Sequence, residues 1–280
     1  MTTITTATIP TASMSLPRAV KDTLIITRRN LRRNIRLPQL LLFATIQPLM
    51  FLVLFNYVFG GALTQALPPA AAGEYINWLM PGLMIQVTVF GSGQTAVGLT
   101  EDLSRGVIDR FRSLPMARSA VLAGRTIADA VRNLSVMGLM LVLGTVLGFR
   151  YQTSLLGLVA GVGITLLFAY ALSWVMAAIG LAVKSPEAAQ SAVFIPVFPL
   201  VFASSVFLPT ATMPAWLRAF ADHQPITVTA NALRGLILGN EALPAGQTVG
   251  AQVLLAAAWA LGILVIFAPL AVRQYRRISN

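Results

Sequence analysis

"SLLGLVAGVGITLLFAYALSWVMAAIGLA" occupies residues 154–182 and contains no charged side chain over its 29 positions. As an α-helix it extends about 44 Å, at 1.5 Å per residue. That exceeds the roughly 30 Å hydrocarbon thickness of a bilayer. Apolar blocks of similar character recur at 39–60, 78–99, 127–149, 188–207 and 249–271. The 280-residue chain is 56% hydrophobic with a mean hydropathy of +0.77, far too apolar for the surface of a soluble domain. Strand-type alternation is absent, which argues against an outer-membrane barrel. The expected fold is all-α: a polytopic membrane protein of six transmembrane helices, with no separate soluble domain.

The formal net charge of +11 would suggest nucleic acid in a soluble protein. Here the basic residues are segregated. With six spans, seventeen Lys and Arg fall on one side and three (Arg150, Arg218 and Arg234) on the other. The positive-inside rule then predicts both termini in the cytoplasm; no nucleic acid partner is expected, and the expected location is the bacterial plasma (inner) membrane. An odd number of spans would scramble this segregation.

Residues 1–14 are Thr-rich and lack the basic start and apolar core of a signal peptide, so a retained, disordered tail is expected. The next stretch, 15–37, has an apolar stripe of Leu16, Val20, Leu24, Leu31 and Ile35, with Thr27 between them. Arg29, Arg32, Arg33 and Arg36 take the other side. This predicts an amphipathic helix in the membrane interface, its arginines near acidic headgroups of membrane lipid. The outer stretch 208–239 is broken by Pro209, Pro214 and Pro225 into pieces too short to cross, which predicts re-entrant or surface-lying helices. Pro196 and Pro199 should kink the fifth span.

The chemistry of the chain is defined mostly by what it lacks. There is no cysteine, and the single His223 beside Asp222 makes a poor metal site. Neither of the two lysines, Lys21 and Lys184, follows a glycine, so no Walker-type phosphate loop is present. None of the nine carboxylates falls near the middle of a predicted span, whereas ion-coupled carriers bury such groups at mid-membrane depth. The chain is therefore not expected to be an enzyme by itself, and energy for transport should come from outside it. A membrane-embedded enzyme would need a nucleophile and base, or a metal set, that is missing.

"EDLSRGVIDRFRSLP" (101–115) is the polar exception, with six charges in its first twelve residues. As a helix it places Leu103, Val107, Phe111 and Leu114 on one face. Glu101, Arg105 and Asp109 are spaced to pair along the other. A short amphipathic helix over 101–114, with Phe111 as anchor, fits helix-in-groove docking to a partner.

Extended to "EDLSRGVIDRFRSLPMARSAVLAGR" (101–125), this stretch resembles the signature region between the second and third spans of ABC-2 type permeases, closest to the daunorubicin/doxorubicin-resistance branch. The outer "FLPTATMPAWLRAFADHQPITVTANALRG" is similar to the same family's pattern of Met-Pro-x-Trp followed by Arg-Gly. The plan agrees along 15–275, although Arg105 stands where many relatives carry an acid. The resemblance implies that 15–37 is a connecting helix and that 38–275 is the six-span domain, followed by a cytoplasmic tail at 276–280. It implies a coupling helix at 101–114, docked on an ABC ATPase subunit through Glu101, Leu103, Arg105, Val107, Phe111 and Arg112. Two ATPase copies would serve two permease subunits, the second identical or homologous. This chain would bind no cofactor; ATP and Mg would sit on the partner ATPase.

A substrate path is expected where uncharged polar groups and aromatics share the first, second and fifth spans: Gln47, Asn56, Gln86, Gln94 and Gln190, with Phe90, Phe194 and Phe198. Such a lining suits a hydrophobic or amphipathic drug, antibiotic or lipid moving outward. The alternative cargo is a lipid-linked glycan or other cell-envelope precursor.

Overall fold

The computed structural model describes residues 16–36, 38–64, 67, 75–107 and 118–278. The proposed tail at 1–14 and most of the stretch after Val107, including Phe111 and Arg112, lie outside the described residues. Among the described residues every regular element is helical. They are α1 (Leu16–Arg36), α2 (Pro38–Val53), a π-helical turn (Leu54–Phe59), α3 (Gly60–Leu63), α4 (Tyr75–Ser104), α5 (Arg118–Val146) and α6 (Leu155–Ala182). They continue with α7 (Pro186–Phe202), α8 (Ala215–His223), α9 (Pro225–Leu238) and α10 (Val249–Ile278).

Four segments are long and apolar enough to cross a membrane: Leu42–Leu63, Ala120–Val146, Leu155–Ala182 and Val249–Arg277. α4 is longer than any of these segments but more polar, and α7 is a shorter apolar helix.

The polarity of α4 follows from its place. It packs against α2, α5, α6, α7 and α9, and most of its side chains are buried inside the bundle rather than turned to lipid. Several of its hydroxyls are satisfied locally and across to α6. Ser92 donates to the Thr88 and Ala169 carbonyls, and Thr100 to those of Ala96 and Gly180. Each such interhelical bond contributes roughly 0.5–1 kcal/mol. α10 packs along α6 and leaves Leu254, Val265 and Ile266 exposed, an outward face suited to lipid.

Three boundaries differ from expectation. α5 begins at Arg118, nine residues before the predicted span, and Arg125 and Asp129 in this early part find partners on α4. α7 ends at Phe202 rather than 207. α4 runs on to Ser104, so Glu101–Ser104 form its last turn instead of opening a separate helix. It stops where Gly106 adopts a left-handed φ of 65°.

Candidate functional site

At the Tyr75 end of α4 the chain after α7 turns back through non-helical backbone, exposing carbonyls that a membrane interior would leave unpaired. Side chains close them. Gln224 Nε2 donates to the Leu200 and Ala203 carbonyls at 3.0 and 2.6 Å, and the Tyr75 hydroxyl to that of Phe207 at 2.7 Å. Arg234, on α9 and fully buried, supplies the rest. Its Nε donates to the Trp78 carbonyl at 3.2 Å. Nη1 donates to Ser205 Oγ and Asn231 Oδ1, and Nη2 to the Ser205 and Val206 carbonyls at 2.6 and 3.0 Å. All five guanidinium N–H donors are thereby used. The guanidinium also lies 3.8 Å from the centre of the Trp78 ring. The charge needs no carboxylate: it faces carbonyls just beyond the negative end of α7. Gly82 permits this approach, since a β-carbon there would collide with the Val206 carbonyl oxygen.

The other end of α4 holds an ion network. Asp102 accepts from Arg125 Nη1 at 2.8 Å and lies 3.6 Å from Arg29 of α1. Arg125 also donates to the Gly98 carbonyl at 2.9 Å, and its Nε stands 3.9 Å from Asp129. Thr95 donates to Asp129 Oδ2 at 2.7 Å. α1, α4 and α5 are thus tied together. Ile26 and Thr27 are buried against α5, with the Thr27 hydroxyl 3.2 Å from the Gly124 carbonyl. Val20 and Leu24 of the apolar stripe stay exposed.

Between these two ends lies a cavity of about 330 Å³ formed by α2, α4 and α5. Gln47, Gln86, Phe90 and Gln94 all line it, so the structure brings together four of the eight residues expected on a substrate path. Phe43 and Pro48 add apolar wall, while Arg132 and Asn133 add polar wall. Arg132 Nη2 donates to the Gly91 carbonyl. Arg132 Nε, Gln86 Oε1 and Asn133 Nδ2 are buried without a hydrogen-bond partner. Buried polar groups are almost always paired, and three orphans around one cavity mark a place for a ligand.

Phe194 and Phe198 lie outside that lining but lead away from it. Ring centroids follow one another at 6.1 Å (Phe90–Phe194), 5.1 Å (Phe194–Phe198), 4.4 Å (Phe198–Phe202) and 5.0 Å (Phe202–Phe207). Phe207 then stacks on Phe55 at 5.0 Å, next to the half-buried Asn56. Gln190 is exposed on α7, away from the cavity.

The expected docking residues divide. Arg105 donates to Glu101 Oε1 at 2.9 Å on an exposed edge. Leu103 is half-buried and packs against the cluster of Leu99, Val121, Trp174 and Tyr275. Val107 is half-buried. On α1, Arg32 is exposed and Arg29 reaches Asp102, while the side chains of Arg33 and Arg36 lie outside the described residues.

Arg132 and Asn133 were not among the expected residues. Arg125, Asp129 and Arg132, spaced four and three apart on an apolar helix, are the signal that points to that face.

A bundle of apolar helices with a partly open, mostly apolar cavity, whose wall also carries amide and guanidinium groups, is an arrangement that a permease can use. The family model for ABC-2 type transporters matches residues 21–238, and the chain belongs to that family. It is 34% identical to the "Daunorubicin resistance ABC transporter permease protein DrrB1" of Streptomyces coeruleorubidus, covering 92% of this chain and 87% of the relative. It is 28% identical to the "Probable doxorubicin resistance ABC transporter permease protein DrrC" of Mycobacterium tuberculosis, covering 93% and 90%.

Proposed function

We propose that the chain is the membrane subunit of an ATP-driven exporter, moving a hydrophobic or amphipathic drug, antibiotic or lipid through the cavity between α2, α4 and α5. The observation that carries this reading is the cavity itself, with its unpaired amide and guanidinium groups, in a chain whose relatives are named as drug-resistance permeases. In this reading α4 and α7 join the four more readily recognised apolar segments to make six crossings. Both termini face the cytoplasm of a bacterial cell, in keeping with the segregation of its basic residues.

Power comes from two copies of a separate ABC ATPase, with ATP and Mg bound there, acting on a pair of permease subunits. The contact is the segment that follows Ser104. Because Asp102 is held by Arg125 and lies beside Arg29, a push on that segment moves α4 against α1 and α5. Those are the walls of the cavity or their immediate neighbours. A lipid-linked glycan is the poorer cargo for a cavity of about 330 Å³.

The test is reconstitution with the ATPase subunit. Transport should require both chains and ATP, and Phe111→Ala should lower ATPase co-purification at least several-fold while leaving membrane insertion intact. Uphill transport by the purified chain alone would overturn the proposal.

A further inference from the structure

Near Arg132 the ion pairs run through its neighbours: Arg29 and Arg125 lie within reach of Asp102, and Arg125 also of Asp129. Asp102 is taken by Arg125 with Arg29 near it, and Asp129 by Thr95 with Arg125 near it. Arg132 is left with one backbone carbonyl, an unpartnered Nε, and a position on the cavity wall. No carboxylate lines that cavity among the described residues. The neighbouring Asn133 is 1% exposed and its unpartnered Nδ2 is a donor that can complete an oxyanion's hydrogen bonds.

Resting on the reading of this cavity as the cargo path, we infer that it holds the anionic head of an amphiphile, a phosphate or carboxylate, on the Arg132 guanidinium. An oxyanion can take charge-assisted hydrogen bonds from a guanidinium, shorter and stronger than neutral ones. A cationic head would meet a like charge. A volume of about 330 Å³ is near the lower limit of ligand pockets, enough for a head group and its first carbons. The apolar tail leaves past Phe90 and lies along Phe194, Phe198 and Phe202, whose rings continue from the cavity wall and are 39–50% exposed. The relatives' printed names concern daunorubicin and doxorubicin; the head group selected here follows from Arg132 in this chain. The same chemistry is offered by an acidic lipid of the bilayer and by a separate acidic cargo.

The experiment is displacement of radiolabelled dodecyl phosphate from the purified full chain in phosphatidylcholine nanodiscs. The competitors share one tail: unlabelled dodecyl phosphate, dodecanol and dodecyltrimethylammonium. The phosphate should displace at a concentration at least tenfold below that of dodecanol, and the ammonium should be weaker still. Arg132→Gln should bring the phosphate and alcohol within threefold, while Phe198→Ala should weaken the phosphate and alcohol by the same factor. Absence of specific phosphate binding, displacement by the ammonium as good as by the phosphate, or a preserved preference in folded Arg132→Gln would each overturn the site. If Arg132→Gln does not fold, the wild-type series decides alone. Titrating phosphatidylglycerol into the nanodisc separates the sources. Displacement identifies the bilayer's own acidic lipid and its absence a separate cargo, and either result supports the site. No ATPase is present, so a failure of ATP-driven export would sink the exporter reading and leave this result standing.

Discussion

Two arginines, 102 positions apart, divide the molecule into a closed half and an open half. Arg234 spends all five donors on carbonyl and side-chain oxygens of the turn after α7 and of its neighbours, and stacks on Trp78. Arg132 has one carbonyl, an unpartnered Nε and a cavity beside it. Both are cations in apolar surroundings, where unpaired polar groups are costly. The difference lies in what surrounds them. A broken chain offers carbonyls in several directions, whereas two intact helices have their carbonyls already used along their own axes. Buried polarity in the turn after α7 therefore serves the backbone, and beside the cavity part of it is left available.

Arg234→Met puts this contrast to its hardest test. It leaves the carbonyls of Ser205 and Val206 without their side-chain donors in a buried site, and each such loss costs about 1–3 kcal/mol. The variant should lose roughly 3–5 kcal/mol of stability, seen as collapse of the monodisperse peak in heated size-exclusion chromatography. Arg234→Lys should rescue little, since an ammonium cannot reach both carbonyls and stack at once. A stable Arg234→Met would mean that the outer turn finds its donors elsewhere, and the closed half would lose its definition.

Asp102→Asn comes next in size. It removes the charge that Arg125 binds directly and that Arg29 faces, at a site mostly but not wholly shielded from solvent. A loss of about 1.5–3 kcal/mol is expected, together with faster proteolysis of α1, which leans on α5 beside this network. Equal protease resistance in wild type and variant would show that the packing of Ile26 and Thr27 alone holds α1.

The same contrast explains what could be read in the sequence. Apolar length locates α2, α6 and α10 well, because those helices present wide faces to lipid and their composition records it. It misplaces the start of α5, since Arg118 and Arg125 look too polar for a span; the partners of Arg125 sit 23 and 27 positions earlier in the chain and leave no local trace. It overruns α7 for a related reason. The carbonyls beyond Phe202 are closed by Gln224 and Arg234, which hydropathy does not connect to them. Gln47, Gln86 and Gln94 stand out because amides are rare in apolar helices. Arg132 and Asn133 do not, because a span placed from residue 127 puts them in its first turns, at the membrane edge.

Gln86→Leu should have the smallest effect on stability, and its sign is what matters. Gln86 is 2% exposed and its Oε1 has no partner, so the wild type bears the cost of an unsatisfied acceptor. An apolar side chain of similar volume removes that cost. The expected change in stability is within about 1 kcal/mol of zero, on the stabilising side, whereas a hydrogen-bonded buried amide would lose about 1–3 kcal/mol on the same substitution. Cargo preference in reconstituted transport should shift even as the melting temperature holds or rises, the pattern of a group kept for function at some expense of stability. A clear fall in melting temperature with unchanged cargo preference would place Gln86 among the structural residues. The open half of the molecule would then shrink to Arg132 and Asn133.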